Sequence, residues 1–331
     1  MRIMISALLL ALLALPAAAQ TAPVPDATTH ATRLVAVDDG VRLEVVDWGG
    51  SGRPLVLLSG LNASAHNFDD LAPALIAKYH VYGITRRGYG DSDKPDPASG
   101  DYSADRLTTD VLAVLDALKL EKPVIAGHSI AGQELSGIAA RAPDRVAGLI
   151  YLDAGYAYAF YVPGGTVPLG TNLVIAANDL REKLGRFRAG PGQLDLVPPI
   201  TEMRAALADF ETDLTATEAE ASRTGPLPMG QDSPQARIGF AVINGGRKYG
   251  ASPLPILALF ATLAVPQKAS PAQRAFIERQ NAAGRVQADA FAAAHSGARV
   301  VHLPEAQHTI WRSNRAQVIG EITAFLDGLP R

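Results

Sequence analysis

A short stretch around Ser129 constrains the fold of this chain more than any other. Residues 124–126, Val-Ile-Ala, form an apolar run of the length expected for a buried parallel strand. Residues 127–132, with the sequence G-H-S-I-A-G, then predict a tight turn, and residues 133–141 predict a helix. The stretch therefore predicts a strand, a sharp turn with serine at its apex, and a helix.

This arrangement is typical of a nucleophile elbow. A serine hydroxyl is a weak nucleophile, so it must stand clear of the backbone where a base can reach it. Small residues on both sides let the strand and the helix pass close together, and the helix N-terminus adds free N–H groups and a positive field. Ala131 stands where a glycine is expected, with Gly132 following it.

The N-terminus predicts export. Met1-Arg2 precedes an apolar run over residues 3–15, and Ala17 to Ala19 match the small-residue pattern of a signal-peptidase site. We expect a signal peptide over residues 1–19, cleavage after Ala19 and a loose leader over residues 20–32. The apolar run is short for a transmembrane helix, so no stable membrane insertion is expected after cleavage. An uncleaved anchor is the alternative.

Composition excludes several classes of function. The formal net charge is −3, so no basic excess points to a nucleic-acid partner. The chain has no cysteine, which excludes disulfides, thiol chemistry and cysteine-ligated zinc. We expect a small-molecule substrate, with no cofactor and no metal; the oligomeric state does not follow from the sequence.

Apolar runs and amphipathic stretches alternate along most of the chain, which predicts a doubly wound, mostly parallel α/β sheet. The predicted strands cover residues 33–37, 42–46, 54–58, 81–84, 124–126, 146–152, 255–260 and 299–303. The predicted helices cover residues 68–79, 103–118, 133–141, 173–184, 200–221, 271–283, 286–295 and 314–326. The alternation stops between residues 154 and 251, and this interval predicts a helical cap inserted after the sixth strand.

Four markers occur in order along the chain: Ser59 to Asn62, Arg87 to Ser92, the elbow at Ser129, and Gln307-His308 after the last strand. With them the chain resembles the α/β-hydrolase superfamily, in particular its capped serine hydrolases and esterases. The resemblance implies a core over residues 33–153 and 252–331 and a cap over residues 154–251. It also implies a catalytic triad in the order nucleophile, acid, histidine.

His308 is the best candidate for the base among seven histidines. It lies on a loop just after the final strand, at the carboxyl edge of the sheet where such sites form. As general base it takes the Ser129 proton and later gives it to the leaving group. His66, after the Ser59-Gly60 turn, is expected to line the pocket.

The acid is less obvious, because residues 256–265 contain no carboxylate after the seventh strand. Asp153 ends the sixth strand, and residues 146–153 look like the sixth strand of those haloalkane dehalogenases whose acid ends that strand. The resemblance therefore implies Asp153 as the acid. Glu278 is the alternative, and Asp153 would then only begin the cap.

The oxyanion hole is expected to use the backbone N–H groups of Leu61 and Ile130. Asn62 either adds a side-chain donor or caps the turn. Aromatic residues cluster directly after Asp153, and we expect Tyr156, Tyr158 and Phe160 to line the pocket rather than the core.

These observations favour an exported serine hydrolase that cleaves a carboxylic ester through an acyl-enzyme intermediate. The dehalogenase and epoxide hydrolase relatives are similar in fold only, because they use a carboxylate nucleophile. Lactone, amide or carbon–carbon bond hydrolysis on the same triad are the enzymatic alternatives. A non-catalytic ligand-binding protein with a hydrolase fold is the alternative outside enzymes.

Overall fold

The computed structural model describes residues 29–98, 100–165, 170–188, 197–224 and 232–330. The predicted signal peptide and most of the predicted leader therefore lie outside the described residues. The first strand begins at Ala31, two residues before the predicted boundary of the core at residue 33.

Eight strands form one sheet within the described residues. They are β1 (Ala31–Asp38), β2 (Val41–Gly49), β3 (Pro54–Leu58), β4 (His80–Ile84), β5 (Val124–His128), β6 (Gly148–Leu152), β7 (Ile256–Leu263) and β8 (Arg299–Ala306). Their order across the sheet is β1-β2-β4-β3-β5-β6-β7-β8. Strand β2 pairs antiparallel with β1 and β4, whereas every other pair is parallel. The predicted doubly wound, mostly parallel sheet is confirmed, and β1 and β8 form its edges.

Helices cover both faces of this sheet. They are α1 (Ala104–Ala117), α2 (Gly132–Arg141), α3 (Thr171–Arg188), α4 (Val197–Thr224), α5 (Pro234–Asn244), α6 (Pro271–Ala294), α7 (Ile310–Ser313) and α8 (Arg315–Gly328). One apolar core contains Leu107 of α1, Leu135 of α2 and Phe291 of α6. The other contains Trp311 of α7 and Ile322 of α8. All five residues of β5 and of β6 are buried, because both faces of these central strands are covered.

The interval between β6 and β7 contains α3, α4 and α5 in its described part. Helix α5 lies over the loop that follows β3. A Cβ atom on Gly239 of α5 would lie 3.7 Å from Asn62 Oδ1 and 3.9 Å from Leu61 Cδ2. Part of the inserted segment therefore faces the loop that was predicted to supply an oxyanion donor.

The helices differ from the prediction in two regions of the chain. Residues 68–79 do not form an amphipathic helix; short 3₁₀ turns at Ala65–Phe68 and Ala72–Ala74 replace it. Pro73 explains this, because its ring would clash with the Asp69 carbonyl in a continuous helix. Conversely, the two predicted stretches near the C-terminus form a single helix, α6, since Gly284 in its middle adds only a modest helix penalty of about 1 kcal/mol.

Among the described helices, none combines the length and the apolar character needed to cross a lipid bilayer.

Candidate active site

The turn after β5 holds Ser129 in a strained conformation. Its φ angle is +54°, a left-handed value that a residue with a side chain adopts at a cost of order 1–3 kcal/mol. The turn continues through one 3₁₀ segment into α2. This geometry lifts the serine side chain above the end of the strand, as the elbow pattern predicts.

Gly132, rather than residue 131, makes the close approach that the elbow needs. A Cβ atom on Gly132 would lie 2.1 Å from the carbonyl oxygen of Ala154, so α2 packs directly against the chain leaving β6. Ala131 is fully buried and is tolerated in place of the expected glycine. The close contact between α2 and the chain after β6 therefore lies at Gly132, one residue after the position where the pattern expects a glycine.

Ser129, His308 and Asp153 form a continuous hydrogen-bonded chain. The Ser129 Oγ lies 2.8 Å from His308 Nε2, and His308 Nδ1 lies 2.6 Å from Asp153 Oδ2. A carboxylate can only accept, so Nδ1 carries the proton and Nε2 is free to accept the serine proton. The three residues follow β5, β6 and β8, whose carboxyl ends meet at one edge of the sheet.

Asp153 is held as a charged group despite its burial. Burial alone would raise the pKa of this carboxyl, but hydrogen bonds from His308, Ala261 and Tyr156 hold the pKa below its ordinary value. The Ala261 N–H donates to Oδ1 at 2.9 Å and the Tyr156 hydroxyl donates to the same oxygen at 2.6 Å. A buried negative charge with these donors can orient His308 and stabilise an imidazolium.

Glu278, the alternative acid, lies on an exposed face of α6. The buried carboxylate bonded to His308 is that of Asp153. The geometry therefore favours Asp153 for this position.

His128 is a contact that the sequence did not predict. Its Nε2 donates to the backbone carbonyl of His308 at 3.0 Å, and its ring packs edge-on against Trp311 at 4.8 Å between centroids. Burial, followed by the nearby His308, lowers the pKa of His128 to about 3. A strand pattern places His128 on the side opposite Ser129 but gives no indication of this bond.

The loop after β3 runs beside the nucleophile. A Cβ atom on Gly60 would lie 3.2 Å from Ser129 Cβ and 2.8 Å from His128 Nδ1, so only glycine fits. Asn62 adopts a φ angle of +59° and is exposed, while Leu61 is half-buried. Ile130, directly after the nucleophile, is buried. The two predicted backbone donors, Leu61 and Ile130, thus belong to segments that meet at Ser129.

The three aromatic residues that were predicted to line the pocket have different surroundings. Tyr156 supports the acid through its hydroxyl. The Tyr158 hydroxyl interacts with the side chain of Ser129. Phe160 is half-buried and packs edge-on against Phe291 and His295, with centroids 5.8 Å and 5.2 Å away. Its place in the pocket stays a prediction.

Carboxylates engage both ring nitrogens of His66, which was expected to line the pocket. Nδ1 lies 3.1 Å from Asp69 Oδ2 and Nε2 lies 3.2 Å from Glu44 Oε1. Burial would lower the pKa of His66, but the two carboxylates raise it above its ordinary value. His66 therefore supports the segment after the oxyanion loop and offers no free nitrogen to a substrate.

Within the described residues, no three histidine or carboxylate side chains come together as a possible metal site. The arrangement of Ser129, His308 and Asp153 is the one that nucleophilic and general acid–base chemistry uses.

Comparisons with known proteins agree with this geometry. A family model described as the alpha/beta hydrolase fold matches residues 53–213. Epoxide hydrolase A of Mycobacterium tuberculosis is 41% identical over 98 residues, which cover 27% of this chain and 28% of that protein. The sn-1-specific diacylglycerol lipase ABHD11 of Xenopus tropicalis is 32% identical over 145 residues, which cover 43% of this chain and 41% of the lipase.

Each of these matches spans less than half the length of the curated relative. Over a longer stretch, the crystal structure of the esterase RhEst1 from Rhodococcus sp. ECU1013 superposes with a TM-score of 0.55 at 20% identity. That superposition covers 90% of this chain and 99% of the esterase, and it shows a shared fold. From the sheet order, the elbow and the family match together, we conclude that this chain has the α/β-hydrolase fold.

Proposed function

We propose that this protein is a serine hydrolase that cleaves a carboxylic ester through an acyl-enzyme intermediate. The observation that carries the proposal is the chain from Ser129 Oγ to His308 Nε2, at 2.8 Å, and from His308 Nδ1 to Asp153 Oδ2, at 2.6 Å. A nucleophile, a base and an orienting acid at these distances are the parts that acyl transfer requires.

The first half of the reaction follows from this geometry. Ser129 Oγ attacks the ester carbonyl carbon while His308 Nε2 takes the hydroxyl proton. The carbonyl oxygen becomes an oxyanion, and the N–H groups of Leu61 and Ile130 are proposed to stabilise it. His308 then gives its proton to the departing alkoxide, which leaves as the alcohol, and the acyl group remains on Ser129.

The second half repeats the same steps with water. His308 removes a proton from water, the hydroxide attacks the acyl-enzyme, and the proton returns to Ser129 as the acid product leaves. Asp153 stays charged throughout and stabilises the imidazolium that forms twice in each cycle. No cofactor enters the proposed cycle.

The surroundings of the nucleophile favour an apolar, uncharged substrate. Leu61 directly follows Gly60, which lies against Ser129, and Ile130 directly follows Ser129. The Tyr158 hydroxyl interacts with Ser129, and Gly239 of α5 faces Leu61. Apolar walls with a few polar groups are typical of a small-molecule pocket. We therefore propose a neutral acyl group, with α5 and the rest of the inserted segment acting as a cap.

A fluorophosphonate probe tests the proposal, because it forms a covalent bond with an activated serine. We expect mass spectrometry to find the adduct on Ser129 in the parent and no labelling in Ser129→Ala. A panel of p-nitrophenyl esters of increasing chain length then identifies the preferred acyl group. A folded parent that neither reacts with the probe nor hydrolyses any ester would instead support a ligand-binding protein with a hydrolase fold.

Lactones, amides and carbon–carbon bonded substrates remain alternatives on the same triad. Assays with matched ester, lactone and anilide substrates distinguish them, since only the leaving group changes. Higher kcat/KM for a lactone or anilide than for the matched ester would reassign the substrate class while leaving the triad in place.

We also propose that the protein is exported after removal of residues 1–19. The support is the run of residues from Met1 to Ala19 described above. N-terminal sequencing of the protein secreted by a bacterial host is expected to begin at Gln20. Retention of Met1 at the N-terminus of membrane-bound protein would favour an uncleaved anchor.

A further inference from the structure

A buried arginine lies directly beneath the loop after β3. Arg86 is 6% exposed, and its guanidinium donates to two successive backbone carbonyls of that loop. The distances are 3.1 Å to the oxygen of Ser59 and 3.3 Å to the oxygen of Gly60. Few other donors could hold two adjacent carbonyls at once, because the guanidinium presents its N–H groups in a fixed planar fork.

The same guanidinium is tied to the helix that follows the nucleophile. Its Nε donates to Glu134 Oε1 at 2.6 Å, and Glu134 is 2% exposed in the first turn of α2. Burial raises the pKa of Glu134, and the adjacent Arg86 opposes that rise. One side chain therefore connects the loop after β3 with the helix that begins three residues after Ser129.

This connection has a consequence for the Leu61 N–H. In a planar trans peptide the carbonyl and the N–H of the same unit point in opposite directions. Holding the Gly60 carbonyl on Arg86 therefore turns the Leu61 N–H away from Arg86. Gly60 itself lies against Ser129, so the N–H that is turned outward belongs to the peptide unit beside the nucleophile.

We propose that Arg86, with Glu134 as its counter-charge, is a positioning residue that orients the Leu61 N–H as an oxyanion-hole donor. The inference rests on the proposed function, since the hole matters only if acyl transfer occurs. Arg86 touches no substrate; it acts through the Gly60–Leu61 peptide.

Arg87 provides a matched control for this residue. It is the next residue in the chain, it is 2% exposed, and its guanidinium donates to Asp110 at 2.6 Å and 2.7 Å and to the Asp101 carbonyl at 3.2 Å. Both arginines thus belong to buried ion pairs, but only the Arg86 guanidinium donates to the loop at Ser59 and Gly60.

The kinetic test compares Arg86→Lys with Arg87→Lys. Lysine keeps the charge but presents a single compact ammonium in place of the planar fork. We expect Arg86→Lys to lower kcat about ten- to a hundredfold with little change in KM, because a misoriented donor weakens binding of the transition state alone. In Arg87→Lys we expect a lower melting temperature and a kcat within about threefold of the parent.

A rescue experiment separates positioning from folding. Arg86→Ala leaves room for a soluble guanidinium ion, and millimolar ethylguanidinium is expected to raise its kcat at least tenfold in a saturable manner. Arg87→Ala is expected to show no such increase. If Arg86→Ala does not fold, Glu134→Gln keeps the side-chain volume, removes the counter-charge and is expected to lower kcat with KM unchanged.

Amide hydrogen exchange of the peptide containing residues 59–62 tests the positioning without any turnover. We expect faster exchange in Arg86→Lys than in the parent and in Arg87→Lys. Faster exchange in Arg86→Lys, together with a parent that hydrolyses no ester, would leave the positioning intact and contradict the proposed function. An active parent with unchanged kcat and unchanged exchange in Arg86→Lys would overturn the positioning role alone.

Discussion

The ring of His128 donates a hydrogen bond to the backbone carbonyl of His308, at 3.0 Å. His128 directly precedes Ser129, the proposed nucleophile, and is thereby bonded to His308, the proposed base. Because a carbonyl can only accept, Nε2 of His128 carries a proton. Burial lowers the pKa of the ring to about 3, so the ring is neutral and Nδ1 is unprotonated. Gly60 packs against that nitrogen, so the three segments of the site meet at His128.

The neutral state of His128 makes stability depend on pH. Its pKa is about 3 in the folded protein and about 6.5 in an unfolded chain. The unfolded state therefore binds more protons below pH 6.5, and stability falls as the pH drops from there toward 3. Between pH 7.5 and pH 5.0, His128 alone is expected to lower the free energy of unfolding by roughly 2 kcal/mol.

Urea denaturation of the parent and of His128→Gln at both pH values measures this contribution. Glutamine keeps an N–H donor near the position of Nε2 but does not titrate, so the variant is expected to lose less stability on acidification. The comparison between the two chains is needed because His66, whose pKa is raised, gains stability at low pH and partly masks the effect. Equal losses in both chains would contradict a buried neutral His128.

Replacing Ser129, the proposed nucleophile, is expected to give the largest kinetic effect. Ser129→Ala is expected to lower kcat for the best ester by a factor on the order of 10⁴–10⁶, since triad members act as a unit. The melting temperature is expected to stay the same or rise. The backbone at this position keeps its strained φ of +54° in the parent and in the variant, and the change from serine to alanine removes only a hydroxyl group. Ester hydrolysis within tenfold of the parent would exclude Ser129 as the nucleophile.

Asp153→Asn tests the acid. The amide keeps the shape of the side chain but favours the wrong tautomer of His308, and a loss of roughly 10⁴ in kcat is expected. Glu278→Gln is the matched control, since the same change on an exposed surface alters stability by less than about 0.5 kcal/mol. Circular dichroism must show that both variants are folded. If Glu278→Gln were inactive while Asp153→Asn kept its activity, Glu278 would be the acid and Asp153 would not.

Two glycine-to-alanine changes are expected to act in opposite directions. In Gly132→Ala the new methyl group would lie 2.1 Å from the Ala154 carbonyl, so the elbow must shift, and we expect a loss of about 1–3 kcal/mol in unfolding free energy. In Gly284→Ala nothing lies within 4 Å of the new methyl, and the helix gains about 0.5–1 kcal/mol. Thermal denaturation measures both; a Gly132→Ala protein as stable as the parent would show that the elbow adapts.

Local sequence patterns predicted strands and candidate site residues best where residue type and residue spacing indicated the same element. The apolar run before Ser129 and the position of His308 after the last strand each depend only on neighbouring residues. The resemblance of residues 146–153 to a dehalogenase strand implied Asp153, with Glu278 as the alternative, and it is Asp153 that lies beside His308. In each case the backbone element determines where the side chain lies, so knowing the element is enough.

Local patterns do not indicate a side chain's contacts where a distant partner determines its position. Phe160 packs against α6, more than a hundred residues later in the chain, and His66 turns toward Glu44 on a neighbouring strand. Arg86 and Glu134 are 48 positions apart, and no local pattern indicates that they pair. Such contacts depend on the assembled sheet, which periodicity does not describe.

Within the part of the chain that the structure describes, the strand that precedes His308 is an edge strand, because β8 pairs only with β7. Ser129 and Asp153 follow central strands that are supported on both sides. Edge strands open more readily than central ones, and opening of β8 would carry the imidazole away while most of the molecule stays folded. We therefore expect hydrolytic activity to be lost on warming at a lower temperature than the cooperative unfolding of the whole molecule. The activity is expected to return on cooling if the molecule has not yet unfolded.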